Sequence, residues 1–552
     1  MAKKKQDYKV QTFSSIREMV DLAATENGNS TAYMYKNEAG EVVSVTFSEF
    51  REVTENLGAA LCELGLGASH IANVSENSYK WITVYLTVLK SAGVYVPIDK
   101  ELPAQDKNHL INDSGSEAVF FSAKYEDWVR ENMDKMPNVK YFIGLDLEKS
   151  ESEKILSYKE LIEKGKTLDK AEYDALKSDE HALKMLVYTS GTTGMSKGVM
   201  LSEHNLCSSV YYGLQVSQIW VKGLSVLPYN HTYEAVCDIL VSIHARTTLC
   251  ITPVLKDVVK DLKLYKPTYI YIVPAFAEVL YANIMRNIKK QGKEKKFGFG
   301  IKLSRALLKV GIDIRKKLFG EVLEVFGGNL IKIVCGGAPI RPEIGEFFND
   351  IGIALIGGYG ITECSPLVSV NDESFISYDT VGFKLPCLEW RIDEPNEEGI
   401  GEICVKGDVV MLGYYNAPEK TAEVLKDGWF YTGDYGYITK DDQLVITGRK
   451  KNIIVLNNGK NIYPEEIEKR VQNIEYISEV VIKGLKNERG DEYSLYAEVY
   501  IESDDDSTKP AEDVILADIQ KQLADLPDYK NVTKVVLRDE PFEKTTTRKI
   551  KR

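Results

Sequence analysis

A layered α/β fold with mostly parallel sheets is predicted for the first 400 residues, because helix-length amphipathic stretches alternate there with short β-rich apolar runs. FSEFREVTENLGAALCELGL reads as a helix, HIANVSEN as a strand, YKWITVYLTVLKSA as a second helix and GVYVPID as a second strand. The rhythm returns at 225–280, where SVLPYN, TLCITP and YIYIVP are separated by helical stretches. After about residue 400 the texture turns antiparallel: GEICVKGDVVMLGYY, GWFYTGDYGYIT and DQLVITGRK are short alternating strands, with Asp427 and Gly428 marking a turn. Beyond the GRKKN turn a smaller unit carries its own helices (PEEIEKRVQN, EDVILADIQKQL) and strands (SEVVIKGL, YSLYAEVYIES, KVVLRDE), enough for an independent α+β domain. The expected division is 1–448 and 449–552. The lysine-rich region 284–326 lacks β character and reads as a solvated, charged excursion.

Composition narrows the function classes. A net charge of −13 over 552 residues, with lysines scattered among acids, offers no basic face for nucleic acid. MAKKK is followed by polar QDYKVQ rather than an apolar stretch, so no secretory signal is expected. No segment reaches the ~18 uncharged apolar residues of a membrane span. The expected location is cytoplasmic, with peripheral contact at a membrane left open. Eight cysteines with no C-x-x-C pair and six histidines with no H-x-x-x-H pair argue against a disulfide framework and against a histidine-held metal.

Residues 188–198, YTSGTTGMSKG, follow the apolar run LKMLVY and precede EHNLCSSVYYGL, a helix that Ser202 would cap. The stretch is therefore expected on a strand-to-helix loop. Glycines such as Gly191 let the backbone approach an anion, the hydroxyls of Thr189, Ser190, Thr192 and Thr193 add donors, and Lys197 adds charge, all of which suits a polyphosphate. The P-loop pattern fails, because Ser196 precedes Lys197 and Gly198 follows it. GMSKG also fits the nucleophile elbow of a serine esterase, with Ser196 attacking and His231 or His244 as base. A plain polar loop is the third reading.

Seven further segments follow in order: LPYNHTYE, CGGAP, GGYGITE, GEICVKGDVVMLGYY, GWFYTGD, GRKKNIIVLNNGKNIYPEEIE and KTTTRKIKR. With YTSGTTGMSKGVMLS they resemble the adenylate-forming superfamily of AMP-binding enzymes, which includes acyl-CoA synthetases, firefly luciferase and peptide-synthetase adenylation domains. The resemblance runs from about residue 47 to the end. It implies a large N-terminal adenylation domain of layered, mostly parallel sheets, a small antiparallel barrel-like subdomain from about 400, and a small mobile α+β C-terminal lid.

The resemblance also implies roles. Thr189 to Thr193 and Lys197 would cradle the β- and γ-phosphates of ATP. Gly337, Ala338 and Pro339 would lie beside the adenine, and Tyr359, between Gly358 and Gly360, could stack on it. Thr362 would contact the α-phosphate and Glu363 would ligate Mg²⁺, an ion that prefers oxygen. Asp434 would accept both ribose hydroxyls, and Arg449 would donate to the same sugar. Lys451 matches the hinge about which the small domain swings, and Lys549 the lysine that meets the α-phosphate and the acyl carboxylate. Plainer roles stand beside these: core packing for Tyr359, a solvated acid for Glu363, an Asx turn for Asp434, a solvated tail for Lys549. The pattern departs from the family at Arg548, where glycine is usual, and at Ser196, where proline is common.

The implied reaction has two steps. A carboxylate attacks the α-phosphorus of Mg-ATP to give acyl-adenylate and pyrophosphate, and a thiol then attacks the acyl carbon and releases AMP. Coenzyme A is the expected acceptor, because the chain ends three residues past Lys549 without a carrier domain and Gly459 resembles the glycine lining the pantetheine tunnel. A separate acyl carrier protein is the alternative. LPYNHTYE lacks the aspartate with which amino-acid-activating relatives hold an α-amino group, and His231 within it resembles the residue that guards an acyl channel. The segments TFSEF through VPIDKELP and YKPTYIYIVPAFAEVLYANI most resemble long-chain fatty acid–CoA ligases. A medium-chain or aryl acid is the nearer alternative substrate.

Overall fold

Runs of valine, isoleucine and tyrosine buried at every position, such as Val94–Pro97 and Tyr269–Ile272, build two large sheets, as expected of parallel strands covered on both faces. A computed structural model describes all residues except 1–7, 178, 190–195, 458–459, 487–489, 491, 504–508 and 545–549. The first sheet has nine strands, and its parallel centre runs Ala354–Gly360, Lys332–Cys335, Tyr269–Ile272, Lys222–Ser225, Thr248–Ile251 and Thr31–Lys36. The second has eight, with the parallel order Leu183–Thr189, Val94–Pro97, His70–Val74, Ala118–Phe121, Tyr141–Gly144 and Ile155–Ser157. Helix Tyr79–Leu89 is buried from Trp81 to Leu89. The Trp81 ring meets Tyr95 of the second sheet and Tyr229, just past a strand of the first, edge-on at 5.2 and 5.1 Å. Such edge-to-face pairs add about 1 kcal/mol each beyond the area they bury.

Local signals act as expected where they are strong. Helix Phe47–Glu63 begins with a capping box in which Thr46 and Glu49 satisfy each other's backbone N–H. Helix Glu203–Val216 begins at Ser202, with Asn205 completing a second box. Among the described residues no helix is long and apolar enough to cross a membrane.

Strands Leu388–Asp393, Gly401–Gly407, Trp429–Ile438, Leu425–Lys426 and Leu444–Arg449 make a five-stranded antiparallel sheet, the small subdomain. The C-terminal residues form a three-stranded sheet of Glu479–Lys486, Glu492–Tyr500 and Val532–Arg538, with helices Pro464–Val471 and Glu512–Gln522. Its buried residues, from Ile454 to Val535, form a cluster of their own, apart from the main core that runs from Ile16 to Leu444.

Two expectations are corrected. The glycine-rich stretch does not join a strand to a helix: Leu183–Thr189 pairs antiparallel with Lys197–Ser202, so the stretch connects a hairpin, and Lys197 opens the return strand opposite Thr189. The apolar interior of KGVMLS packs into the sheet before the helix begins. The region 284–326 is not merely solvated. Helix Glu294–Leu308 turns Phe297, Gly300, Ile301 and Ser304 inward, where the Phe297 ring meets Phe319 and Phe347.

Candidate active site

A cleft of about 3000 Å³ opens between the strand ends of the two sheets, the antiparallel subdomain and the C-terminal unit. Of the residues singled out in the sequence, Thr189, Lys197, His231, Gly337, Ala338, Pro339, Gly358, Tyr359, Gly360, Thr362, Glu363, Asp434, Arg449 and Lys451 all line it. Ser190, Gly191, Thr192, Thr193, Gly459 and Lys549 lie outside the described residues.

On one wall, Asp434 and Arg449 are cross-strand neighbours on Trp429–Ile438 and Leu444–Arg449, and Arg449 Nε meets Asp434 Oδ1 at 2.7 Å. The Tyr359 hydroxyl donates to the other oxygen of Asp434. Burial first, then the Asp434 charge, holds the Tyr359 phenol far above its usual value, so it remains the donor. Asp434 is only 3% exposed, is held by Arg449 and Tyr359, and lines the cleft. Tyr359 lies on a strand that ends at Gly360, where any Cβ would sit 2.5 Å from the Pro366 carbonyl oxygen. The loop after strand Lys332–Cys335 bends at Gly337, whose φ of +87° favours glycine, and Ala338 and Pro339 are exposed beside it.

Lys197, Tyr414 and Glu363 line the same cleft, close enough for Arg449 to feel the Glu363 charge. The Lys197 ammonium lies 4.8 Å from the centre of the Tyr414 ring, and the Tyr414 hydroxyl donates to Glu363 Oε1 at 2.9 Å. Gly413–Tyr414 pairs antiparallel with Val199 and Met200, and the backbone of Met411 donates to the Glu363 carbonyl at 2.9 Å, so three sequence segments are locked together here. Burial and then Glu363 push the Tyr414 phenol up, keeping it a donor. Tyr414 was not anticipated as a site residue, although it opens the Tyr-Tyr pair that ends GEICVKGDVVMLGYY. The cation–π contact holds Lys197 without neutralising it, so its charge stays available to an anion.

The same cleft has an apolar wall that includes Leu214, Val226, Cys237, Val241 and Tyr271, and it reaches Leu255 and Val279, which are about half exposed. Glu234 on this wall, and Asp238 within the π-helical turn Ala235–Leu240, are fully buried. Glu234 accepts from Ser225, and the Glu234 and Asp238 carboxyls face each other, with the Tyr269 hydroxyl beside Asp238. Burial pushes the Asp238 carboxyl up to about 7, and burial with the Asp238 charge holds Glu234 well above the usual carboxylate range.

The esterase reading loses its geometry. A nucleophile elbow needs a strand-to-helix turn, whereas Ser196 precedes a strand. His244 is buried against the Phe13 ring at 4.4 Å, and burial lowers it to about 4. Facing the cleft from the C-terminal side are Lys451, Ile550, Lys551 and Arg552. Burial and the nearby Arg449 and Arg552 lower Lys451, and Arg552 is paired with Glu468. Arg341, in the large unit, donates to the Gln472 carbonyl of the small one at 3.4 Å.

This arrangement defines a nucleotide-binding α/β enzyme with a covering C-terminal domain. Residues 20–415 match the model of the family described as AMP-binding enzyme, and the chain belongs to that family. Within it the chain stands with the AMP-forming acyl- and aryl-CoA ligases and resembles several long-chain fatty acid–CoA ligases. It is 28% identical over 468 residues to the long-chain-fatty-acid–CoA ligase FadD15 of Mycobacterium bovis, covering 81% of this chain and 76% of that protein. It is 27% identical to the chloroplastic long-chain-fatty-acid–[acyl-carrier-protein] ligase AEE15 of Arabidopsis thaliana, covering 81% and 71%. The fold matches that of the anthranilate CoA ligase AuaEII in complex with anthranoyl-AMP, with a TM-score of 0.78 at 16% identity over 98% of this chain and 96% of that one.

Proposed function

We propose that the protein joins a long-chain fatty acid to coenzyme A, with ATP converted to AMP and pyrophosphate. The observation that carries this reading is a single cleft in which Lys197, Glu363 and Asp434 share one cavity with an apolar wall that reaches Leu255 and Val279. A carboxylate head and a long hydrocarbon tail need both. Relatives named as long-chain fatty acid ligases support the choice of acid.

The family resemblance supports the following roles. Asp434, steadied by Tyr359 and Arg449, accepts the ribose hydroxyls, with the Tyr359 ring, Gly358, Gly360 and the Gly337–Pro339 loop against the adenine. Thr189, Ser190, Gly191, Thr192, Thr193 and Lys197 hold the β- and γ-phosphates. Glu363 is the oxygen ligand for Mg²⁺. One carboxylate facing a cleft fits an ion that is usually held by one or two carboxylates together with substrate phosphates, and among the described residues no cluster of three acidic, histidine or cysteine side chains could hold a metal alone. When bound, the ion neutralises phosphate charge. Thr362 and Lys549 meet the α-phosphate as the acyl carboxylate attacks it, and no side chain acts as nucleophile. His231 stands at the acyl channel. Residues 449–552 form a lid that pivots at Lys451, removing Lys549 and bringing Gly459 to the pantetheine arm for thioester formation.

The test is AMP release from ATP across carboxylic acids of increasing chain length and aryl acids, with coenzyme A or acyl carrier protein as acceptor. The reading expects the highest kcat/KM with a long-chain acid and coenzyme A. A preference for aryl or short acids, or for carrier protein, would replace it.

A further inference from the structure

Residues 286–318 carry twelve lysines and arginines against two acids, a local charge of +10 in a chain whose net charge is −13. Lys289, Lys290, Lys295, Lys296, Lys302 and Lys309 are exposed, and none forms an ion pair with a described residue. Large apolar side chains stand out among them. Phe299 is 68% exposed and Leu303 37%, one turn apart on the outer face of helix Glu294–Leu308. Lys295, Lys296 and Lys302 flank Phe299 on the same face by helical spacing. The chain then turns back on the helix end, with Val310 and Ile312 donating to the Leu307 carbonyl and both side chains more than half exposed. The inner face, Phe297, Gly300, Ile301 and Ser304, is already used for packing, so the outer apolar residues have no covering partner among the described residues.

We propose that this face docks on an anionic phospholipid surface, the lysines meeting headgroup phosphates and Phe299, Leu303, Val310 and Ile312 entering the headgroup–acyl boundary. An exposed apolar stripe interleaved with cations is the signature of a helix that lies in a membrane interface. Phosphate attraction alone would explain the lysines but not the exposed aliphatic residues, which gain nothing on a nucleic acid backbone. The preceding helix, Pro274–Lys290, begins at the cleft, where Phe276 and Val279 line its wall, and runs to the basic segment. The docked face would therefore set the cleft near the bilayer. Binding itself does not depend on the fatty-acid reading.

The experiment is sedimentation of the full chain with vesicles of phosphatidylcholine alone or mixed equally with phosphatidylglycerol, with double-stranded DNA as a competitor ligand. Binding is expected only to the anionic vesicles and should weaken with salt. The Lys295→Glu, Lys296→Glu, Lys302→Glu triple variant should bind roughly a hundredfold more weakly, and Phe299→Ser with Leu303→Ser should bind severalfold more weakly at unchanged charge. Both variants should keep their ATP-dependent activity toward a water-soluble acid without vesicles, which shows that they fold. No binding, equal binding to neutral vesicles, binding indifferent to the substitutions, or retention by DNA in place of vesicles would each overturn the proposal.

Discussion

The Tyr414 hydroxyl donates to Oε1 of Glu363 at 2.9 Å while the same ring carries the Lys197 ammonium on its face at 4.8 Å, so one tyrosine sets the spacing of an acid and a base 166 residues apart in the chain. Tyr414→Phe keeps the ring and removes only the bond to the carboxylate. A hydrogen bond to a charged group contributes about 1.5–3 kcal/mol. The variant is expected to lose roughly ten- to a hundredfold in adenylation rate and to need more Mg²⁺ for half-maximal rate. Pyrophosphate release measured against Mg²⁺ concentration checks this. A lower rate with an unchanged Mg²⁺ requirement would separate Tyr414 from the metal-holding role of Glu363.

Tyr359, Asp434 and Arg449 act as one unit. Asp434→Ala is expected to raise KM for ATP by roughly one to two orders of magnitude, and Tyr359→Phe by less, because Arg449 still holds the carboxylate. The double variant should resemble Asp434→Ala alone, since both changes remove the same oriented acceptor. Additive losses in the ATP titration would mean that the Tyr359 hydroxyl contributes independently of Asp434.

Asp238 predicts a pH dependence. Its carboxyl is held up near 7, against an ordinary value of 3.8, by burial. A group raised on folding contributes stability that is fully present below its unfolded value and lost as pH rises through its folded value. Stability should therefore fall from this source as pH rises from about 4 through about 7. Asp238→Asn, similar in shape and always neutral, should flatten the fall and melt higher than the parent at pH 8. Melting curves from pH 5 to pH 8 measure it, and parallel curves for the two proteins would show that Asp238 does not titrate in this range.

Lys549→Ala should lower adenylation roughly 10²- to 10³-fold and leave thioester formation from supplied acyl-adenylate near its normal rate. Half-reaction kinetics distinguish this from a general loss. Equal damage to both steps would contradict the role proposed for Lys549.

How legible all this is in the sequence depends on distance along the chain. The nucleotide-facing residues fall in short contiguous segments such as GGYGITE and GWFYTGD, whose order carries their meaning. The bond from Tyr359 to Asp434 spans 75 positions and that from Tyr414 to Glu363 spans 51, and each joins separate elements that no local pattern brings together. No Gly, Pro, Asn or Asp stands between Val199 and Ser202, so a six-residue strand merges in the sequence with the loop before it and the helix after it. Glu234 and Asp238 stand in a largely apolar segment, where nothing local shows that both are wholly buried. The lysines of 284–326 conceal an apolar inner face, because Phe297 and Ile301 are outnumbered there by charge.

The most direct test is hydroxamate trapping. With ATP, Mg²⁺, a long-chain fatty acid and hydroxylamine, but no coenzyme A, the account predicts acyl-hydroxamate and pyrophosphate in equal amounts, with none formed when ATP or the acid is omitted. Absence of hydroxamate with every acid, or hydrolysis of an ester without ATP, would contradict it.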